Sequence, residues 1–239
     1  MTDAIANVEN NGLRARMIRP QQPNRAGVLV LSAWPGIDER VDQACHWLAA
    51  EGFTALAWDP FSAYPSDLSM EERRRVTRGV IQDAAARLEQ MHWIGYMQRE
   101  LGVENVGGIG FCMGGRMGLL LGVTDQRLKC FSAYYPTIRM PIPTGALNVV
   151  DVAPEIHCPV QVHYPGRDES TTYETFVALR SGLESRPGHL ATVAQYYPTA
   201  QHGFLDDSHQ EDPGNVAAKA VAWPLTLAFF RGCLLKRDG

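Results

Sequence analysis

Six short apolar runs, separated by stretches with the spacing of helices, are the feature that most narrows what this chain can fold into. Short apolar runs bounded by turns are typical of buried strands. Because these runs are apolar on both faces, they favour a mostly parallel sheet with helices on both faces. We predict strands at residues 27–33, 53–58, 106–111, 128–134, 160–164 and 192–197.

Helical patterns occupy the segments between the apolar runs. Pro224 lies in the last of them and predicts a kink or a start there, because proline lacks the amide hydrogen that a helix interior uses. Alternating strands and helices favour an α/β fold. We predict one α/β domain over residues 1–239, with residues 1–25 as a peripheral N-terminal segment. The predicted helices are at residues 38–50, 70–100, 114–123, 171–183 and 216–235.

The composition of the chain limits the kinds of partner it can have. Hydrophobic residues make up 45% and charged residues 20% of 239 residues, which provides enough apolar material for a globular core. The net charge of −4 argues against nucleic acid as the main partner, because phosphate binding draws on clustered lysine and arginine. No apolar run approaches the ~18 residues that span a bilayer, and the N-terminal segment lacks the apolar core of a signal peptide.

Cysteine usage indicates a reducing compartment. The number of cysteines, five, is odd, and their wide spacing without a CxxC pair favours neither a disulfide framework nor a cysteine-based zinc site. We expect a cytoplasmic monomer that acts on a small-molecule substrate, with no cofactor and no metal. The cysteines are Cys45, Cys112, Cys130, Cys158 and Cys233.

A glycine-rich turn joins the third predicted strand to a helix. Residues 110–115 are Gly-Phe-Cys-Met-Gly-Gly, a pattern typical of the nucleophile elbow, with cysteine in place of the commoner serine. The turn places the sulfur of Cys112 at a helix N-terminus, where the helix dipole favours a thiolate. The amide of Met113 is the first predicted oxyanion-hole donor. The alternative is a glycine-rich turn with a structural cysteine.

Two further polar residues follow predicted strands. Asp168 comes after the strand at 160–164, and His202 comes after the strand at 192–197. Polar groups at the carboxyl ends of parallel strands meet at one edge of the sheet. The chain order of Cys112, Asp168 and His202 is that of the α/β-hydrolase triad. We predict that these three residues form a catalytic triad, and we interpret the other histidines as structural.

The motifs resemble those of the dienelactone hydrolase family, also called carboxymethylenebutenolidases, in the α/β-hydrolase superfamily. The matching segments are Gly-Phe-Cys-Met-Gly-Gly at 110–115, Pro-Gly-Arg-Asp at 165–168 and Tyr-Pro-Thr-Ala-Gln-His-Gly-Phe at 197–204. Residues 55–61 resemble the family's second-strand motif, and residues 222–230 resemble its final helix. The resemblance extends from about residue 25 to the end and implies the α/β-hydrolase fold.

The resemblance also implies a cysteine-dependent hydrolase of a lactone or an ester. Cys112 would attack the carbonyl and form a thioester, His202 would be the general base, and Asp168 would orient His202. The second oxyanion amide is expected at Trp34, in the turn after the first predicted strand. The candidate substrate-binding residues are Trp34, Tyr135, Phe204 and Arg78.

Two departures from the family pattern bear on thiolate formation and on the substrate. Family members typically have a glutamate in the turn after the first strand, where this chain has Ala33. They also have an arginine a few residues after the histidine, where this chain has the acidic pair Asp206-Asp207. An anionic substrate would meet repulsion there. An arginine at 73–78 is a candidate partner for such a substrate, and the alternative is a solvated helix face.

Two other functions are open on the same residues. One is a thioesterase or general carboxylesterase that uses the same triad. The other is a catalytically silent α/β-hydrolase that acts as a small-molecule binding module. The presence of Cys112, Asp168 and His202 together favours an enzyme, whereas Ala33 is the feature that favours the silent module.

Overall fold

An eight-stranded sheet is the frame of the protein in the computed structural model, which describes residues 4–79, 83–142 and 145–235. The strands are Ala6–Asn10 (β1), Leu13–Ile18 (β2), Ala26–Leu31 (β3), Thr54–Trp58 (β4), Asn105–Phe111 (β5), Leu128–Tyr134 (β6), Val160–Arg167 (β7) and Thr192–Gln201 (β8). Their order in the sheet is β1-β2-β4-β3-β5-β6-β7-β8. Strands β3 to β8 run parallel, and β2 is antiparallel to both of its neighbours.

Helices cover both faces of this sheet. They are Glu39–Ala50 (α1), Met70–Gly79 (α2), Asp83–Arg99 (α3), Met113–Thr124 (α4), Val149–Val152 (α5), Tyr173–Glu184 (α6) and Pro213–Leu234 (α7). Successive strand residues point to opposite faces. In β3, Leu29 and Leu31 therefore pack in the apolar cluster with α3, α4 and α6, whereas Val28 and Val30 pack in the cluster with α1 and α7. The predicted α/β fold with a mostly parallel sheet is confirmed.

The structure corrects two of the predicted helices. The segment at 70–100 contains two helices, α2 and α3, and residues 80–82 lie outside the described residues. Pro224 lies inside α7 and does not begin it. The helix begins at Pro213, where the Asp212 side chain accepts hydrogen bonds from two amides of the first turn. Proline suits a first helical position, because the amide hydrogen that it lacks would have no helical partner there.

The N-terminal residues differ most from the expectation of a peripheral segment, because they contribute two strands to the sheet. β1 and β2 form a hairpin, and β2 pairs with β4. The hairpin turn is Asn11-Gly12, with φ of 53° and 76°. Asn-Gly is the strongest short signal for this kind of turn. An analysis of apolar runs missed it, because polar residues interrupt the apolar ones in both strands.

The parallel strands direct their carboxyl ends to one edge of the sheet, and the three residues of the predicted triad follow β5, β7 and β8 at that edge. Loops at this edge are where α/β folds bind their ligands. Among the helices of the described ranges, none combines the length and the hydropathy that crossing a bilayer requires.

Candidate active site

Cys112 lies at the sharp turn between β5 and α4. Its φ of 55° and ψ of −112° are a strained conformation for a residue with a side chain. Glycines permit the turn: a Cβ at Gly114 would overlap the carbonyl oxygen of Leu31, and a Cβ at Gly110 would overlap the backbone of Gly114. The half-buried cysteine directly precedes the first turn of α4, where the helix dipole favours a negative charge.

Asp168 and His202, which follow β7 and β8, meet in a direct hydrogen bond. His202 Nδ1 lies 2.9 Å from Oδ2 and 3.1 Å from Oδ1 of Asp168. The Asp168 side chain is fully buried, and its Oδ1 also accepts from the amides of Ser170 and Thr171 at 2.7 and 3.2 Å. The carboxylate therefore holds the imidazole by Nδ1 and leaves Nε2, which is buried and makes no hydrogen bond within the described chain.

The electrostatics of Cys112 and His202 favour an ion pair. Burial raises the pKa of the Cys112 thiol, whereas the interaction with His202 lowers it. With added hydrogen bonds from the Thr137 hydroxyl and the Met113 amide, the pKa of this thiol falls below its ordinary value. Burial opposes protonation of His202, whereas Asp168 and Cys112 raise its pKa well above the usual range. Both shifts therefore favour a thiolate beside an imidazolium over the neutral pair.

Thr137 contacts the sulfur of Cys112, and sequence reasoning missed it. Its Oγ1 lies 3.0 Å from Cys112 Sγ, and its amide donates to the Cys112 carbonyl at 3.0 Å. Thr137 lies in the loop after β6, and no motif or spacing rule marks it. Ala33, in the turn after β3, has only a methyl group, so that position offers no carboxylate to the sulfur.

The turn after β3 is held by an arginine of α2. Arg73 Nη1 donates to the Pro35 carbonyl at 2.7 Å, and its guanidinium lies 5.0 Å from the centre of the Phe61 ring. The amide of Trp34, in this turn, has no hydrogen-bond acceptor in the described part of the chain. The amide of Met113 approaches the sulfur of Cys112. The assignment of the Trp34 and Met113 amides to an oxyanion hole stays a prediction.

A pocket of about 210 Å³ opens beside Cys112. Cys112 and His202 form part of its wall. Its lining includes Asp38 and Arg40, at the start of α1, Asp206, after the histidine, and the two histidines His202 and His209. A small, largely apolar cavity at this edge of the sheet is a typical substrate site. The apolar and aromatic lining includes Trp34, Val41, Trp47, Phe111, Tyr135 and Leu205.

The four residues predicted to bind the substrate lie in different places in the structure. Trp34 and Tyr135 line the pocket. Phe204 is a correction, because it is 0% exposed and its ring packs against Tyr135 and Tyr197 in the core. It supports Tyr135 from within the core and does not line the pocket. The Arg78 side chain lies outside the part of the structure that is described.

Both carboxylates of the acidic pair Asp206-Asp207 form ion pairs with basic side chains. Asp206 accepts a hydrogen bond from Arg40 Nη1 at 2.6 Å. Asp207 accepts from Lys219 and Gln43. Asp206 lines the pocket, whereas the Asp207 side chain is mostly exposed and does not line it. The repulsion expected for an anionic substrate therefore depends on Asp206.

Two arginines of α2 contact the turn after β3, so this part of the helix is not only a solvated face. Arg73 binds the turn after β3, and Arg74 lies 4.9 Å over the ring of Trp34. Both side chains therefore support the segment that carries the candidate oxyanion amide.

Two further observations concern possible metal ligands and the buried His163. Within the described ranges, no group of three or more His, Cys, Asp or Glu side chains is placed to hold a metal ion. His163 is fully buried and hydrogen-bonded to the hydroxyls of Tyr197 and Thr226 at 2.9 and 3.0 Å. Burial lowers the pKa of His163 to about 3, so the ring is neutral at pH 7.

Known proteins share both the sequence pattern and the fold. A protein of Escherichia coli (strain K12) with the name "Putative carboxymethylenebutenolidase" is 25% identical over 236 residues, which cover 93% of this chain and 83% of that protein. A crystal structure described as "Putative Dienelactone Hydrolase", from Klebsiella pneumoniae subsp. pneumoniae MGH 78578, has a TM-score of 0.81 at 23% identity and covers 95% of this chain and 99% of that chain.

A second structure, of the dienelactone hydrolase-like promiscuous phosphotriesterase P91 from metagenomic libraries, has a TM-score of 0.74 at 21% identity and covers 98% of this chain and 99% of that chain. At these identities the two structures show the shared fold. The model of the dienelactone hydrolase family matches residues 13–234. Since that match spans nearly the whole chain, the protein belongs to the dienelactone hydrolase family, and the predicted enzyme class, a carboxylic ester hydrolase, is confirmed at the level of the family.

Proposed function

We propose that the protein hydrolyses a lactone or an ester through Cys112, His202 and Asp168, with a thioester intermediate. The observation that carries the proposal is the 2.9 Å bond between His202 and Asp168 beside a cysteine whose thiol pKa is lowered, at the wall of a pocket. A nucleophile that is already ionised, an oriented base and a buried acid are what this chemistry needs.

In the first half-reaction, the Cys112 thiolate attacks the carbonyl carbon and forms a tetrahedral intermediate. The amides of Met113 and Trp34 are suited to bind its oxyanion. When the intermediate collapses, the C–O bond breaks and protonated His202 gives its proton to the departing oxygen. The products of this step are a thioester on Cys112 and an alcohol, which stays attached to the acyl group when the substrate is a lactone.

In the second half-reaction, the same histidine acts as a base. Acylation removes the thiolate, so the pKa of His202 falls and the ring becomes neutral. Nε2 then takes a proton from water, the resulting hydroxide attacks the thioester carbon, and the C–S bond breaks. Cys112 leaves as a thiolate beside protonated His202, which restores the starting ion pair and releases the carboxylic acid.

Thiolate formation in this mechanism relies on three supports. His202 and the N-terminus of α4 favour the negative charge on Cys112. The Thr137 hydroxyl, 3.0 Å from the sulfur, can donate a hydrogen bond to the thiolate. Together these groups take the place of a carboxylate, which Ala33 does not provide.

The test is hydrolysis by the purified protein of dienelactone, of an uncharged lactone and of p-nitrophenyl acetate, with Cys112→Ala as the control. We expect the unaltered protein alone to turn over at least one of them, and mass spectrometry of the stopped reaction to detect the acyl group on Cys112. The enzyme proposal fails if nothing is hydrolysed and iodoacetamide modifies Cys112 no faster than the other half-buried thiol, Cys233. That result would favour a binding module.

A further inference from the structure

The charged side chains of the pocket bear on the substrate of the proposed reaction. Asp38, Arg40 and Asp206 all line the pocket, and we call this set the charged wall. Two carboxylates and one guanidinium leave the wall with a net negative charge. A substrate anion would therefore approach a surface of its own sign.

Arg40 offers little to an incoming anion, because each of its three nitrogens already donates to a carboxylate. Nε donates to Asp38 Oδ2 at 2.8 Å, Nη2 donates to the same oxygen, and Nη1 donates to Asp206 Oδ2 at 2.6 Å. The single guanidinium of the wall therefore has its charge satisfied from within the protein.

The two carboxylates are themselves held by the backbone. Asp206 Oδ1 accepts from the amide and the hydroxyl of Ser208 at 2.9 and 2.7 Å, and its side chain is only 12% exposed. Asp38 caps α1 by accepting from the amides of Arg40 and Val41 at 3.1 and 3.3 Å. A substrate carboxylate that took Arg40 would have to displace two carboxylates that are already held in place beside it.

Other cations near the pocket have partners of their own. Arg74 stacks on Trp34, and Lys219 pairs with Asp207. His202, which also lines the pocket, is hydrogen-bonded to Asp168 through Nδ1. Among the described residues that line the pocket, the one arginine, Arg40, is therefore already paired with carboxylates, and His209 contacts the Gly203 carbonyl through Nδ1 at 3.1 Å.

We propose that the pocket selects a small, uncharged ester or lactone and rejects substrates that carry a carboxylate. This inference rests on the proposed function and names its substrate class. The remaining lining is mainly aromatic and aliphatic, and the volume of about 210 Å³ suits a small acyl or alcohol group. The selectivity comes from two carboxylates outnumbering one guanidinium.

The test compares esters that differ only in charge. 4-Acetoxybenzamide and 4-acetoxybenzoate carry a neutral amide or a carboxylate on the leaving group. p-Nitrophenyl adipamate and mono-p-nitrophenyl adipate carry the same difference on the acyl group. Each kcat/KM is divided by the rate constant for the same ester with hydroxide, which removes intrinsic reactivity. We expect a preference of roughly tenfold or more for the neutral member of at least one pair.

A charge-removing variant ties this preference to the wall. Asp206→Asn keeps the size of the side chain, makes the wall neutral and frees an Arg40 N–H. We expect the preference to narrow by roughly five- to tenfold, mainly because kcat/KM rises for the anionic ester. Asp207→Asn is the matched control: it removes the same charge one residue away, outside the pocket, and should change the preference by less than about twofold.

Asp38→Asn is a second way to make the wall neutral, since asparagine also caps helices, and it serves if Asp206→Asn does not fold. Equal rates within both ester pairs, or a preference for the anion, would overturn the inference and leave the hydrolase standing. Equal narrowing in Asp206→Asn and Asp207→Asn would overturn it too, because the effect would then be one of overall charge. No turnover of any of the four esters would count against the proposed function itself.

Discussion

The nucleophile turn and the charged wall border the same pocket, but different forces hold them in place. Cys112 is held by the backbone, at the end of a central strand and between glycines that leave no room for a Cβ. The charged wall is held by side chains: Arg40 of α1 reaches Asp206 in a loop more than a hundred residues away. A strained backbone turn has one geometry, whereas part-exposed ion pairs contribute little to the stability of the fold.

We expect this difference to separate the chemistry of the proposed site from its selectivity. Substitutions around the turn should change the rate of reaction with every substrate, because they alter the nucleophile or its base. Substitutions in the charged wall should change which substrates react and leave the nucleophile as it was. The following experiments test that separation.

The largest effect is expected from Asp168→Asn. The asparagine amide can donate to Nδ1, which would place the His202 proton on Nε2 and remove the charge that stabilises the imidazolium. We expect kcat/KM to fall roughly 10³- to 10⁴-fold for neutral and anionic esters alike. Glu169→Gln, at the exposed neighbouring residue, is the control and should be close to wild type. A loss below about tenfold would remove Asp168 from the mechanism.

The pH dependence of Cys112 alkylation tests the ion pair. Because the thiol pKa is lowered, the thiolate is present above that lowered value and takes up a proton as the pH falls through it. We expect the rate of iodoacetamide modification to rise with a midpoint below the ordinary cysteine value of about 8.5. His202→Gln should move this midpoint upward by more than about one unit. An unmoved midpoint would contradict the pairing of His202 with the thiolate.

A smaller effect is expected at Thr137. Thr137→Val keeps the shape of the side chain but removes the hydroxyl 3.0 Å from the sulfur. A hydrogen bond of about 1 kcal/mol corresponds to a rise of about 0.7 unit in the alkylation midpoint and to a loss of roughly fivefold in kcat/KM. Thr137→Ser keeps the hydroxyl and should retain both values. Identical behaviour of the valine and serine variants would assign Thr137 a packing role only.

The smallest effect on the nucleophile is expected from the charged wall. In Arg40→Gln, we expect the alkylation midpoint and kcat for a neutral ester to stay close to wild type. Part-exposed ion pairs contribute ~0–1 kcal/mol, so the melting temperature should fall by no more than about 4 °C. A shift of the alkylation midpoint as large as that of Thr137→Val would show that the charged wall influences the ionisation of Cys112.

Local patterns in the sequence were sufficient for much of this molecule. The apolar runs predicted β3 to β8, and the run at 128–134 coincides with β6. The elbow was equally predictable, because a tight strand-to-helix turn depends on adjacent residues and on the absence of a Cβ at its glycines. The order of Cys112, Asp168 and His202 places each at a strand end, and parallel strands bring such ends to one edge. A search for continuous apolar runs could not find the hairpin of β1 and β2, whose signals were the Asn11-Gly12 turn and the alternation of apolar and polar residues in β2.

Contacts between separate loops and helices were decided only by the tertiary structure. Thr137 reaches the nucleophile, Phe204 turns into the core although it follows the histidine by two residues, and Asp206 meets Arg40. Sequence patterns describe which face of its own element a residue occupies, but not which side chain of another element it meets. That pairing depends on how strands twist and how helices pack against them. The sequence therefore shows which charged residues the chain has, but only the tertiary structure decides which of them form ion pairs at the pocket.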